Sequence, residues 1–158
     1  MKERRNIGLE SPGVCVAVVH KDLDGWKFLV LQRSPNESYG GFWGFVTGSK
    51  KGDETVAQSV YREMVEETGN PPVSMWATEY IIQFYEPEND KIWILPLIVA
   101  ILDDGTKITL SDENVEYRWL FPNKAKRLLS WKNLIRAVDD ISDELSIFPA
   151  RNWIEIKP

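Results

Sequence analysis

A chain of 158 residues, 43% hydrophobic and 27% charged, has the size and balance of one folded domain with a sizeable core. Its formal net charge of −5 argues against a nonspecific binder of nucleic-acid polymers, so an anionic substrate would have to be met by a metal ion and a few local cations. A lone histidine, His20, excludes triads that need a histidine partner and argues against a structural zinc site. The single cysteine, Cys15, lies in an apolar run and reads as a buried small residue; with no signal peptide before it, a reducing cytoplasmic compartment is expected.

Residues 1–11, with Lys2, Arg4 and Arg5, read as a solvated arm, and 1–158 as a single domain without repeats, low-complexity tracts or linkers. Residues 14–20 and 27–33 are runs of strand length joined by the turn-forming Lys21-Asp22-Leu23-Asp24-Gly25, which predicts a hairpin. A loop over 34–41 leads to a short aromatic stretch at 42–46 and straight into Thr47-Gly48. A helix comes next. Thr55 with Gln58 three residues later makes a capping box, and Gly69 sits where a left-handed cap ends a helix of about four turns. Ala57, Val60, Tyr61, Met64 and Val65 share a broad helical face that is expected to pack inward.

Pro71-Pro72 forces an extended exit, and 75–85 and 91–102 read as two longer strands around a turn at 86–90. The run 92–102 is shorter than the about 20 residues a bilayer span needs, so it reads as a central strand in which Pro96 requires an edge or a bulge. Short strands are expected at 107–110 and 116–120. After Trp131, the spacing of Leu134, Ile135, Val138, Ile141 and Leu145 predicts an amphipathic closing helix, and residues 147–158 tie down through Phe148, Trp153 and Ile154. Strands, helix, strands, helix predict an α/β sandwich around a mixed β-sheet.

The first helix carries Glu63, Glu66 and Glu67 on one arc, with Arg62 one turn before Glu66. Like charges at this spacing repel, and a hard divalent cation would relieve them; Mg²⁺ binds through a few carboxylates together with substrate phosphates. A solvated acidic face is the alternative, and the spacing decides between them. From Gly48 the order is five residues, Glu54, seven residues, then Arg62-Glu63-Met64-Val65-Glu66-Glu67-Thr68-Gly69. This resembles the signature of the Nudix hydrolases at every charged and glycine position. It departs at Asn70, where the family has an aliphatic residue, a change that bears on loop packing rather than chemistry. The resemblance implies an α/β/α sandwich around a mixed β-sheet, hydrolysis of a phosphate anhydride in a small molecule, and a Mg²⁺ cofactor with Mn²⁺ as substitute. It implies catalytic roles for Glu54, Arg62, Glu63, Glu66 and Glu67, with Glu63, Glu66 and Glu67 holding metal and Arg62 orienting a glutamate, Glu54 being its candidate partner. Gly48 belongs to the substrate-binding loop.

Leu31-Gln32-Arg33, Phe42-Trp43, Val46-Thr47-Gly48-Ser49, Tyr117-Arg118-Trp119-Leu120 and Ser130-Trp131 with Asn133 are similar, in the same order, to patches of the bacterial dihydroneopterin triphosphate diphosphatases, which also hydrolyse dATP-type nucleotides. That resemblance implies Glu113 as a further metal ligand, Arg33, Thr47 and Ser130 as substrate-binding residues, and monophosphate and pyrophosphate as products. The subgroup has a Lys-Arg pair where this chain has Glu10-Ser11, so Arg4 or Arg5 supplies the charge or the substrate differs. Lys50 and Lys51 either meet phosphates or lie on the surface; Trp43 and Trp93 either stack on a base or are buried. Tyr85 and Pro87 keep ADP-ribose and dinucleoside polyphosphate hydrolysis open. A nucleotide-binding domain without catalysis is the non-enzyme alternative, disfavoured because no signature acid is lost. No membrane partner is expected, and homo-oligomerisation stays open.

Overall fold

The computed structural model describes residues 8–158; Lys2, Arg4 and Arg5, assigned to the arm, lie outside the described residues. Residues 8–10, expected in the arm, instead form a strand, β1 (Gly8–Glu10). The hairpin is present as β2 (Gly13–Asp22) and β3 (Gly25–Arg33), which pair antiparallel from Val19 opposite Phe28 to Asp22 opposite Gly25. Asp22 Oδ1 closes the turn by accepting the N–H groups of Asp24 at 2.8 Å and Gly25 at 3.1 Å.

The apolar run of β2 is buried on both faces because the strand runs through the middle of the molecule. Side chains alternate along it. Val14, Val16 and Val18 join one core, which is covered by Ala57, Val60 and Met64 of helix α1 (Val56–Thr68). Cys15, Ala17 and Val19 join a second core, covered by Ala125 of α2 (Pro122–Leu128) and by Leu134, Ala137, Val138, Ile141 and Leu145 of α3 (Lys132–Leu145). The result is helix, sheet, helix in three layers, the α/β/α sandwich expected. Helix α2 is an element that the apolar spacing does not predict.

Strands β4 (Trp43–Gly44), β5 (Val46–Ser49), β6 (Ser74–Glu86), β7 (Lys91–Ile101), β8 (Asn114–Leu120) and β9 (Ile154–Ile156) complete a mixed sheet ordered β4-β3-β2-β7-β6-β9; β1 adds to β7, β5 to β2 and β8 to β3. The run containing Pro96 is indeed interior: β2 lies parallel on one side and β6 antiparallel on the other. Pro96 is tolerated because the β6 register shifts between Ala77 and Ile81, opposite it, and because it falls between the β7 residues paired with β1 and those paired with β2.

Three local expectations are corrected. Residues 107–110 form no strand; Ile108 is buried and the Thr109 N–H donates to Thr68 O at 2.8 Å, so this segment caps the end of α1 instead of extending the sheet. Tyr61 and Val65 are exposed, whereas Ser59, Glu63, Glu67 and Thr68 are buried beside Ala57, Val60 and Met64. Helix α1 is rotated from the face that maximises apolar burial, and two carboxylates occupy its contact with the sheet. At the C-terminus β9 pairs with β6 and Trp153 is buried, but the Ile154 side chain is largely exposed.

The capping box is complete. Thr55 Oγ1 accepts from Gln58 N at 3.2 Å, Gln58 Oε1 accepts from Thr55 N at 3.0 Å, and Gly69 ends the helix at φ 76°. Thr55→Ala is expected to cost about 1 kcal/mol, read as a lower melting temperature by circular dichroism. Among the described residues, no helix is long and apolar enough to cross a membrane.

Candidate active site

Arg62 is the hub of the α1 carboxylates. It lies on the helix one turn before Glu66 and just past the loop that carries Glu54, so its planar fork faces both. Nε donates to Glu54 Oε1 at 2.7 Å and Nη2 to Glu54 Oε2 at 2.9 Å, a bidentate pair. Nη1 donates to Glu63 Oε1 at 2.6 Å and to Glu66 Oε2 at 3.3 Å, and Nη2 also reaches the Ser49 carbonyl at 2.8 Å. Glu54 further accepts from Ser59 Oγ at 2.8 Å and from Lys51 N at 2.8 Å. The Arg62 guanidinium, helped by the Lys51 N–H, holds the Glu54 carboxyl down to about 2. Glu54 is therefore a fixed anion that positions Arg62, and Arg62 in turn holds Glu63.

Glu63 packs against the α-carbon of Gly48, whose strand β5 pairs with β2 at Val14. A Cβ at residue 48 would lie 1.9 Å from Glu63 Cδ, so only glycine leaves room for that carboxylate. One turn further on, Glu67 is 4% exposed. Its carboxyl is pushed up to about 8 by burial first, then by the charges of Glu113 and Glu63; the Arg33 charge and a hydrogen bond from Asn114 work the other way. Burial also raises Glu63, against the hydrogen bond from Arg62.

The sheet brings Arg33, Glu113 and Asn114 to this point. Arg33 ends β3 and is registered with Asn114 at the start of β8, across an irregularity between Gln32 and Arg33. The Ser34 N–H donates to Glu113 O at 2.8 Å, fixing that corner. Glu113 is exposed while Asn114 is buried. Arg33 Nε donates to Ser38 O at 2.7 Å, which braces the guanidinium from the 34–41 loop.

Other named residues fall around this cluster. Glu66 is about half exposed, pairing with Arg62 and, at 3.6 Å, with Lys51 Nζ. Lys50 is exposed, its N–H bound to Pro12 O. Thr47 is half-buried on β5 opposite Cys15. Ser130 is tied to β4: its Oγ accepts from Trp43 N at 2.9 Å and its N–H donates to Trp43 O at 3.1 Å. Trp43 is half-buried under the Arg118 guanidinium, 5.1 Å from the ring centroid, and Trp93 stacks on Phe84. At the signature's departure, Asn70 Nδ2 donates to the Thr68 and Lys107 carbonyls at 2.8 and 2.7 Å, replacing an apolar contact with two hydrogen bonds at the same loop. Cys15 is fully buried, its thiol pushed up to about 12 by desolvation, which rules out a nucleophile. Sequence reasoning missed Ser59, which donates to Glu54, and Asn114, which is buried beside Glu67. Ser59 had a helical-spacing signal, four residues before Glu63; Asn114 had none beyond adjacency to Glu113.

The donor set of Glu63, Glu67 and Glu113 is all oxygen, with excess negative charge and a carboxylate, Glu67, whose ionisation is opposed first by burial and then by its acidic neighbours. That fits a hard divalent cation. Among the described residues no three oxygens of these glutamates lie within 4.8 Å of one another, so such an ion would complete its shell with waters and substrate oxygens, as Mg²⁺ does.

The NUDIX domain family model matches residues 10–140. The chain belongs to the Nudix family. Within that family it is a pyrophosphohydrolase, an enzyme acting on acid anhydrides. Solved Nudix structures similar to it include the Ap4A hydrolase of C. elegans (19% identity, 86% of this chain and 98% of that one, TM-score 0.74). Others are the E. coli dihydroneopterin triphosphate pyrophosphohydrolase (21%, 85% and 99%, 0.68) and the NUDIX domain of Shewanella oneidensis NrtR, solved with ADP ribose (16%, 90% and 90%, 0.68). At these identities the likeness establishes the shared Nudix fold. No curated protein sequence matches significantly.

Proposed function

We propose that this Nudix protein is a Mg²⁺-dependent pyrophosphohydrolase of a nucleoside-triphosphate-like compound, dihydroneopterin triphosphate or a dATP-type nucleotide, releasing monophosphate and pyrophosphate. One observation carries the reading: the buried Glu67 carboxyl, crowded by Glu63 and Glu113, faces the field of Arg33. Carboxylates for a metal and a guanidinium for phosphate oxygens then meet at one place. Glu63, Glu67 and Glu113 would hold Mg²⁺, with Glu66 at the rim, and Mn²⁺ suits the same oxygen donors. When bound, the ion supplies Lewis acidity, neutralising phosphoryl charge and making water a better nucleophile near neutral pH.

The chain's own groups do the rest. Glu54 and Arg62 fix the Glu63 carboxylate, so one ligand is preorganised before substrate arrives. One of these carboxylates takes the proton of the attacking water, acting within the cluster rather than as an isolated group. Asn114, beside Glu67, favours its charged form. Arg33 meets the outer phosphates, Gly48 leaves space beside Glu63, and Thr47 and Ser130 contact the base or pterin end. A site built on such polar contacts disfavours ligands that leave them unpaired, so ADP-ribose should be a poor substrate.

Hydrolysis in ¹⁸O-labelled water tests the bond that breaks. Label in the monophosphate is expected. Label in pyrophosphate, inorganic phosphate as main product, or a preference for ADP-ribose or a dinucleoside polyphosphate overturns the reading. Arg33→Ala is expected to lower kcat/KM on triphosphates by about 10- to 100-fold, the worth of a hydrogen bond to a charged group, with a far smaller effect on folding, read as a small change in melting temperature.

A further inference from the structure

The alternation that sets Val14, Val16 and Val18 on the α1 face of β2 sets His20 there as well. His20 is about 20 Å along the strand from Val14, the residue paired with Gly48, and so lies well away from the glutamates. Here the β2–β3 turn, the 103–107 loop and β8 surround a cavity of about 390 Å³, lined by His20, Asp22, Lys27, Asp104, Lys107 and Trp119 among others. The His20 side chain is 7% exposed, and the Trp119 ring lies edge-on to its imidazole at 4.3 Å. Its Nδ1 is buried without a hydrogen-bond partner, 3.4 Å from Asp104 Oδ1. Among the described residues, the ligand atoms of His20, Asp22 and Asp104 all lie within 4.8 Å of one another.

A buried ring nitrogen with no partner is costly; Asp104 at 3.4 Å is too far for a good N–H···O bond, whereas a cation between the ring and the carboxylates of Asp104 and Asp22 would satisfy all three. We propose that His20, Asp104 and Asp22 form a second metal site, suited to a divalent transition ion of the zinc class and separate from the Nudix glutamates. An imidazole with two carboxylates is a zinc-type donor set, whereas Mg²⁺ prefers oxygen alone. Zinc bonds of about 2.0–2.1 Å give tetrahedral ligand edges of about 3.3–3.4 Å, the spacing His20 and Asp104 already have. Burial lowers the affinity of His20 for protons, which keeps the imidazole neutral and its lone pair free. Asp22 is braced by the Asp24 and Gly25 N–H groups and by Lys27 Nζ, 2.5 Å from its Oδ2. The Lys27 charge opposes the ion and should limit its affinity. Counting histidines and cysteines in the sequence argued against zinc; that count could not show the fold bringing two aspartates to one imidazole. An ion here would tie the 103–107 loop, just before the Ile108-Thr109 cap of α1, to the first hairpin.

The lone histidine makes the test direct. Untagged, ¹⁵N-labelled protein is titrated with Zn²⁺ alone in saturating Mg²⁺, which keeps the glutamate cluster occupied, and the His20 ring nitrogens are followed by long-range ¹H–¹⁵N spectra. One equivalent of Zn²⁺ is expected to move the Nδ1 resonance and raise the melting temperature. Asp104→Asn, a change at an exposed residue that leaves folding intact, should weaken Zn²⁺ binding at least about tenfold, while Lys27→Met should tighten it. Ring resonances that ignore Zn²⁺, or an Asp104→Asn protein that binds it like the parent, overturn the site and leave only a His–Asp contact.

Discussion

Glu67→Gln is expected to lower turnover by about 10²–10⁴ while making the metal-free protein more stable at alkaline pH. The two effects share a cause. Glu67 carries a carboxyl raised from 4.5 to about 8 by burial and by Glu113 and Glu63. Between those values the folded protein holds a proton that the unfolded chain releases, so metal-free stability falls as pH rises from about 4.5 to about 8 and levels off above that. Glutamine removes this slope. The variant should gain on the order of a few kcal/mol at pH 9, and the difference should vanish at pH 4, where both states are protonated. Mg²⁺ should restore part of the parent's loss and little of the variant's. Chemical denaturation across pH, with and without Mg²⁺, checks the stability half. Near-normal turnover of a folded Glu67→Gln protein at limiting Mg²⁺ would remove Glu67 from the site.

Gly48→Ala should disable the enzyme without unfolding it. The added Cβ would fall 1.9 Å from Glu63 Cδ and 2.1 Å from its Oε1, far inside any real contact. The obstacle is the end of a flexible side chain, so Glu63 swings away and the sheet stays. That costs the 2.6 Å bond from Arg62 Nη1 and shifts a metal ligand by more than about 1 Å, a displacement worth about 10²-fold in rate. The stability cost of such overpacking is about 1–3 kcal/mol. A double-mutant cycle with Glu63→Ala separates the two: removing the obstructing side chain should recover stability and leave activity low. Substantial activity in Gly48→Ala would mean that Glu63 does its work from another position.

The signature helix was legible because its determinants are local. Thr55, Gln58 and Gly69 fix both ends through contacts within one turn, and the Arg62–Glu54 pair reaches only from inside the helix to the residue just before its N-cap. The strand pair around Gly25 and the interior placement of the Pro96 strand were likewise carried by apolar patterning and turn chemistry. Glu113 was reached only through resemblance, since nothing in its neighbours announces that the end of β3 meets the start of β8 at the carboxylates.

By itself the sequence determined the three-layer α/β order, the family, and which acids share one helix, because spacing and caps act over a few residues. The tertiary structure alone decided which face of α1 turns inward. A helical wheel counts Tyr61 and Val65 as core, yet the sheet takes Glu63 and Glu67 instead. It also decided that Asn114 is buried beside Glu67, that residues 107–110 cap a helix rather than extend the sheet, and that His20 meets Asp104. Each of these is a long-range contact, set by how layers and strand registers fit together, and no local pattern of residues encodes it.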